Sequence, residues 1–351
     1  MDGLRYPSVG WDAMICAKQG PLGETVHLTR RDLSALLASG VAGLALPATA
    51  RAQTLRRVRV GKAINSSFPF AGLELGAKQG IWRATGLELQ ISAFRGDGQM
   101  QQALAAGSLD FGFGSGPGMG YAAKGVPAHA VAVVANRPAN MALVVAKSSG
   151  ITTIDGLKGK RIGVSTAGSL TDWLARNIAV SRNWKPTDIE IVPMGEMRTR
   201  LAAMRAGQLA GAVTSVQEAF QIQDNNLGTV LTTFGEVVPN FHTHVVFARD
   251  ELIRTDADLV RRFLTGWFTV AAYMRDHKPE TIQSVAATLR VSEKIVAQTY
   301  DIELGMMSFD GQFDPKALET TRQSLKDLAI LDFVPATSAL YNGTFVPVKI
   351  N

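Results

Sequence analysis

The chain has 351 residues, 46% of them hydrophobic and 19% charged, with a formal net charge of +6. That balance is globular, neither disordered nor membranous, and fills two lobes of ordinary size. A basic pI near 9.5 suits nucleic acid, but the leader described next marks an exported chain, and no nucleic-acid partner is expected.

Residues 1–52 read as an export signal cleaved after Ala52. Thr29-Arg30-Arg31-Asp32-Leu33 precedes an apolar run to Leu46, followed by Ala50-Arg51-Ala52. The paired arginines resemble a twin-arginine signal, with a general secretory leader as the alternative. The run contains Gly40 and Gly43 and is too short for a spanning helix of about 20 residues. The only cysteine, Cys16, lies inside the leader of residues 1–52. The mature chain is therefore expected to be soluble and periplasmic, with no disulfide, no thiolate nucleophile and no lipid-bearing cysteine.

Arg57–Ala63 alternates as a strand, and Asn65-Ser66-Ser67-Phe68-Pro69 then supplies capping hydroxyls and a proline for a helix reaching about Gln79. A strand over Gly86–Phe94, a helix over Gln99–Ala106 and a strand over Leu109–Phe113 follow. The cycle restarts with strands at Lys160–Ser165, Ile189–Pro193 and Gly211–Thr214, separated by helices at Leu170–Arg182 and Arg198–Ala206. Strands alternating with helices predict parallel pairing. Ala130–Val134, Met141–Ala146 and His244–Ala248 are apolar strands expected to cross between the lobes. From Asp256 to Ile330 the pattern is helical, with Val260, Phe263, Leu264, Trp267, Ala271 and Met274 on one face.

The two cycles echo each other. Ala106-Gly107-x-Leu109 is repeated at Ala206-Gly207-x-Leu209, and Ser115 falls opposite Ser215. Ligands of open parallel sheets sit beyond the carboxyl ends of strands, so Gly112 to Gly118 reads as a binding loop whose glycines admit a ligand and unusual dihedrals, or else as a turn chosen for packing. Gly118-x-Gly120-x-x-Ala123 fits a dinucleotide fingerprint only superficially, because residues 111–154 contain no Asp or Glu to hold a ribose. That acid-free run, carrying Lys124, Arg137 and Lys147, suits an anionic ligand. Ser169 with Asp172 and Ser215 with Glu218 fit capping boxes at helix N-termini, whose dipoles also favour anions.

Together, AFRGDGQMQQALAAGSLDFGFGS, GLKGKRIGVSTAGS, the second AG-x-L unit and the helical tail resemble solute-binding proteins of the nitrate/sulfonate/taurine type, over nearly all of residues 57–347. The resemblance implies the α/β type II periplasmic binding fold. It has two lobes, 53–142 plus 245–351 and 143–244, each with a mostly parallel sheet flanked by helices, joined by a hinge of crossing strands. It also implies a monomer without cofactor or metal that captures a small solute between its lobes and delivers it to an ABC permease; thiamine-pyrimidine-precursor binders share this architecture.

By position, the family's pocket involves Asn65, Ser66, Ser67 and Phe68, then Ser115 and Gly116, then Thr166, Gly168 and Ser169, and Thr214 and Ser215. Arg95 and Arg137 are candidate counter-charges. Phe68 either stacks on a solute or belongs to the core. His242 and His244 share one strand face by alternation, which offers a cleft hydrogen bond; no third metal ligand is in view. The family commonly has Asp after both AG-x-L elements, whereas here Asp110 is kept and Ala210 takes the second place. An enzyme on the same fold is the rival class, without a cysteine, a Ser-His-Asp relay or a spaced carboxylate pair to support it.

Overall fold

A computed structural model describes residues 54–350 apart from 236 and 239. The export-signal reading of residues 1–52 lies outside the described residues.

The chain first builds β1 (Arg56–Lys62), α1 (Gly72–Lys78), a short α2 (Ile81–Ala84), β2 (Leu87–Ala93), α3 (Asp97–Ala105), β3 (Phe111–Ser115), a short α4 (Gly120–Ala123) and β4 (Ala128–Asn136). It then builds β5 (Met141–Ala146), β6 (Arg161–Val164), α5 (Leu170–Ser181), β7 (Glu190–Pro193), α6 (Met197–Arg205), β8 (Gly211–Ser215), α7 (Val216–Asp224) and β9 (Gly228–Thr233). β10 (His242–Arg249) leads into α8 (Asp250–Thr255), α9 (Ala257–Asp276), α10 (Lys278–Leu289), α11 (Glu293–Met306) and α12 (Pro315–Asp327).

Two five-stranded sheets result, ordered β2-β1-β3-β10-β4 and β7-β6-β8-β5-β9. In each sheet one strand, β10 or β5, runs antiparallel to both neighbours, and the other four share a direction. The apolar strands expected to cross between lobes each stay within one sheet. The crossings are the short segments 137–140 and 234–241, because β4 and β5, like β9 and β10, are consecutive strands in different sheets.

The repeat read in the sequence is geometric. Arg57 pairs with Glu88 at 3.1 Å across the parallel strands β1 and β2, and Arg161 pairs with Glu190 at 3.0 Å across β6 and β7, the corresponding strand pair of the second sheet. The Asp110 amide donates to Arg59 O (2.8 Å) and the Ala210 amide to Arg161 O (2.9 Å). Only Asp110 adds a carboxylate, which accepts from the Arg59 amide, Nε and Nη2.

The helical tail packs on lobes already built. Phe263 of α9 stacks on Phe111 with ring centroids 4.0 Å apart and on Trp82 at 5.3 Å, burying the face that the sequence spacing predicts. α11 bridges to the second lobe: Glu303 accepts hydrogen bonds from Asn140 Nδ2 (3.0 Å) in the first crossing and from Gln217 Nε2 (2.7 Å) on α7. Among the described residues, no helix is long and apolar enough to cross a membrane.

Candidate ligand-binding cavity

The carboxyl ends of the central strands of both sheets converge on a shared cavity. The first sheet contributes Ser66 and Ser67 after β1, Asp97 at the start of α3, Ser115 at the end of β3, and His244 on β10. From the crossing and the second sheet come Asn140, Thr171 on α5, Arg200 on α6, and Thr214 and Ser215 at the end of β8. Phe70, Ile64, Met141 and Leu170 supply apolar wall.

The alternating glycines that end β3 serve space rather than unusual dihedrals. None of Gly112, Gly114, Gly116 or Gly118 has a positive φ. A β-carbon on Gly114 or Gly118 would come within 2.7 Å of Asp97 Oδ1, and one on Gly116 would run into the His242 carbonyl at 2.1 Å. The glycines thus make room for Asp97, whose carboxylate accepts from the Ser115 amide (2.8 Å) and hydroxyl (3.0 Å). Burial pushes Asp97 above the usual carboxylate range, against the opposing pull of Ser115 and of the Leu170 amide at the start of α5. The α5 N-terminus expected to receive an external anion therefore already faces a carboxylate of the chain.

On the other side, Arg200 is fully buried. Its Nη1 donates to Val213 O, while Nε and Nη2 have no partner. Desolvation lowers its pKa, and Glu218 and Glu196 act through space in the opposite sense. Glu218 in turn accepts from the Thr214 hydroxyl, and burial pushes it upward.

His244 packs against Phe70 with centroids 4.6 Å apart. Burial lowers its pKa to about 3, so it is neutral near pH 7, and both ring nitrogens lack hydrogen-bond partners. His242 does not share this setting, because register shifts on either side of His244 break the strand alternation. Its Nδ1 meets Asn136 Oδ1 at 3.0 Å and its Nε2 accepts from the Asp314 amide at 3.1 Å, so it is held away from the cavity. No group of three or more His, Cys, Asp or Glu residues suited to a metal ion occurs among the described residues.

Of the residues singled out in the sequence, Ser66, Ser67, Ser115, Thr214 and Ser215 line this cavity. Asn65 does not, and Phe68 is core, edge-on to Tyr300 at 6.1 Å. Arg95 is exposed beside Gly195, and Arg137 is exposed at the crossing, so neither is a buried counter-charge. Gly116 packs on His242. Thr166 and Gly168 belong to the rim where the lobes meet: Thr166 Oγ1 accepts from the Gly98 amide (3.4 Å), and Tyr121 donates to Ala167 O (3.0 Å). Ser169 caps α5 and joins Ser165 and Thr171 in a ring of hydroxyls 3.0 Å apart.

A family model described as NMT1/THI5 like matches residues 67–282. The chain belongs to the NMT1/THI5-like family. A Brucella abortus relative, named only as a binding protein, is 27% identical over 260 residues, covering 73% of this chain and 79% of its own. Among solved structures, the ligand-binding component of an ABC-type import system from Staphylococcus aureus aligns with a TM-score of 0.69 at 16% identity, covering 83% of this chain and 97% of that one. The alkanesulfonate-binding protein SsuA of Xanthomonas axonopodis, bound to MOPS, gives 0.68 at 16% identity over 83% and 96%. The desulfurization enzyme DszB gives 0.58 at 19% identity over 82% and 97%. This NMT1/THI5-like chain thus has the periplasmic binding protein fold, which hosts both binding proteins and an enzyme.

Proposed function

We propose that the protein captures a small organic anion between its lobes and, as an exported periplasmic component, delivers it to an ABC permease of the inner membrane. One observation carries the reading. Ser67, Asn140, Arg200 and His244 all line the cavity and all hold buried polar atoms without hydrogen-bond partners. Buried polar atoms in native proteins are nearly always paired, so a ligand is the natural source of these missing partners. The lobe contacts at Thr166 and Tyr121 close the rim over that space, as capture by domain closure requires. Sulfonate, nitrate, taurine and aromatic carboxylate are the anionic classes within this reading; a thiamine pyrimidine precursor is its neutral alternative.

An enzymatic reading, raised by DszB, finds no cysteine nucleophile among the described residues. The single cysteine is Cys16, far from the cavity residues in sequence, and His244 is held neutral without a hydroxyl on either nitrogen.

Calorimetric titration with members of each class tests the proposal. One class should bind, be recovered chemically unchanged, and lose its binding when Ser67→Trp fills the cavity. Conversion of the solute, or binding unaffected by that substitution, would count against it.

A further inference from the structure

The internal repeat exposes one substitution that packing does not explain. In the first lobe, a β-carbon on Gly61 of β1 would sit 2.5 Å from Leu109 Cδ1 and 3.1 Å from Met100 Cγ. In the second lobe, the same construction on Gly163 of β6 gives 2.6 Å to Leu209 Cδ1 and 3.2 Å to Arg200 Cγ and Cδ. Met100 and Arg200 occupy equivalent places, each fully buried beneath a strand glycine. A methionine satisfies that place with apolar packing alone. The arginine stem repeats this packing, and its charged head continues into the cavity wall.

Taking a charge out of water is costly unless it is paired. Arg200 receives one carbonyl, Val213 O, on Nη1. Its remaining edge, Nε and Nη2, is buried without a partner, and Glu218 and Glu196 influence it only through space. Those two N–H groups point the same way from one side of a planar guanidinium, the spacing that two coplanar oxygens of a carboxylate match. Leu170, Met141, Ile64 and Phe70 supply apolar lining to the same cavity.

Building on the capture of a solute proposed above, we infer that Arg200 is the specificity-determining residue of the cavity and that its Nε/Nη2 edge clamps the carboxylate of a small organic acid. Arg95 and Arg137, both exposed, take no part in this clamp. Asp97 disfavours a second anionic group at the α5 end of the cavity, which restricts the solute to one carboxylate, with neutral or hydrogen-bond-donating groups elsewhere.

The test uses matched solutes titrated calorimetrically into the purified protein: acetate, butyrate, hexanoate and benzoate, each beside its primary amide and its sulfonate analogue. At least one carboxylate should bind about tenfold or more tightly than its amide and its sulfonate. Arg200→Met, which installs the residue the first lobe uses at the same place, should abolish that preference while keeping the circular dichroism spectrum. Arg200→Lys keeps the charge but not the two-pronged edge, and should lose about tenfold or more in affinity. Should either variant fail to fold, the matched pairs on the unaltered protein still decide the question.

Amides or sulfonates binding as well as every carboxylate, or a preference that survives Arg200→Met, would overturn the inference. Capture itself would still stand if a neutral solute or a sulfonate bound. If neither these solutes nor nitrate, taurine or hydroxymethylpyrimidine bound, capture of these solute classes would fall along with the clamp.

Discussion

Gly96 and Thr166 meet across the cleft so closely that a β-carbon on the glycine would stand 2.4 Å from the threonine Oγ1. Gly96 also holds φ at +138°, a region that side chains strongly disfavour. The glycine is thus required twice, by the backbone and by the closed rim. Gly96→Ala should weaken solute affinity about tenfold or more by holding the lobes apart. Small-angle scattering should then show a larger radius of gyration in the presence of solute than the unaltered protein gives. Unchanged affinity would mean that the bound state does not use this contact.

Glu303 links α11 to the crossing and to α7, and burial lifts its pKa from 4.5 to about 8. A carboxyl whose folded pKa lies above its unfolded value stabilises fully below the unfolded value, and that stability is lost as pH rises through the folded one. The contribution from Glu303 should therefore fall between about pH 4.5 and 8. The difference between thermal unfolding curves of the unaltered protein and Glu303→Gln should carry this slope. A difference independent of pH would show that Glu303 ionises normally.

The buried histidines act in the opposite direction. His242 and His244, lowered to about 4 and about 3, contribute stability above the unfolded value of 6.5 that is lost as pH falls through those folded values. His244→Gln should flatten the acid limb of the stability curve without altering the limb set by Glu303. An unchanged acid limb would contradict the burial of this ring.

Phe263 is fully buried between Phe111 and Trp82. Phe263→Ala should cost about 3–5 kcal/mol by urea unfolding, the usual cost of removing a core phenylalanine. A cost below about 1 kcal/mol would mean that α9 is not docked as described.

Much of the architecture is legible in the sequence because periodicity reports burial. The strand-helix alternation and the AG-x-L repeat locate both sheets, and the apolar face of 260–274 locates α9. β9 escapes because Gly228–Thr233 is an edge strand with a mostly half-exposed pattern and no apolar alternation. The hydroxyls at strand ends, Ser66, Ser67, Ser115, Thr214 and Ser215, follow from the family resemblance read onto strand ends, which also names Asn65, Phe68 and Gly116 outside the cavity lining. The charged residues of the cavity do not. Asp97 lies in a helix start where an acid ordinarily serves the dipole, and Arg200 sits in MRTRLAAMR among other arginines. Aligning the two repeats at an offset of one hundred, which sets Arg200 against Met100, is the signal that would have found it. His242 and His244 are misplaced by simple alternation because a bulge intervenes.

The measurement that bears most directly on solute capture is thermal unfolding of the purified protein, stripped of any bound solute by unfolding and refolding. It would be scanned against carboxylates, sulfonates, nitrate, taurine and hydroxymethylpyrimidine at fixed ionic strength. One class should stabilise the protein by about 2.7 kcal/mol at roughly one hundred times its dissociation constant, and be recovered unchanged. No stabilisation by any member, or recovery of a chemically altered solute, would contradict capture between the lobes.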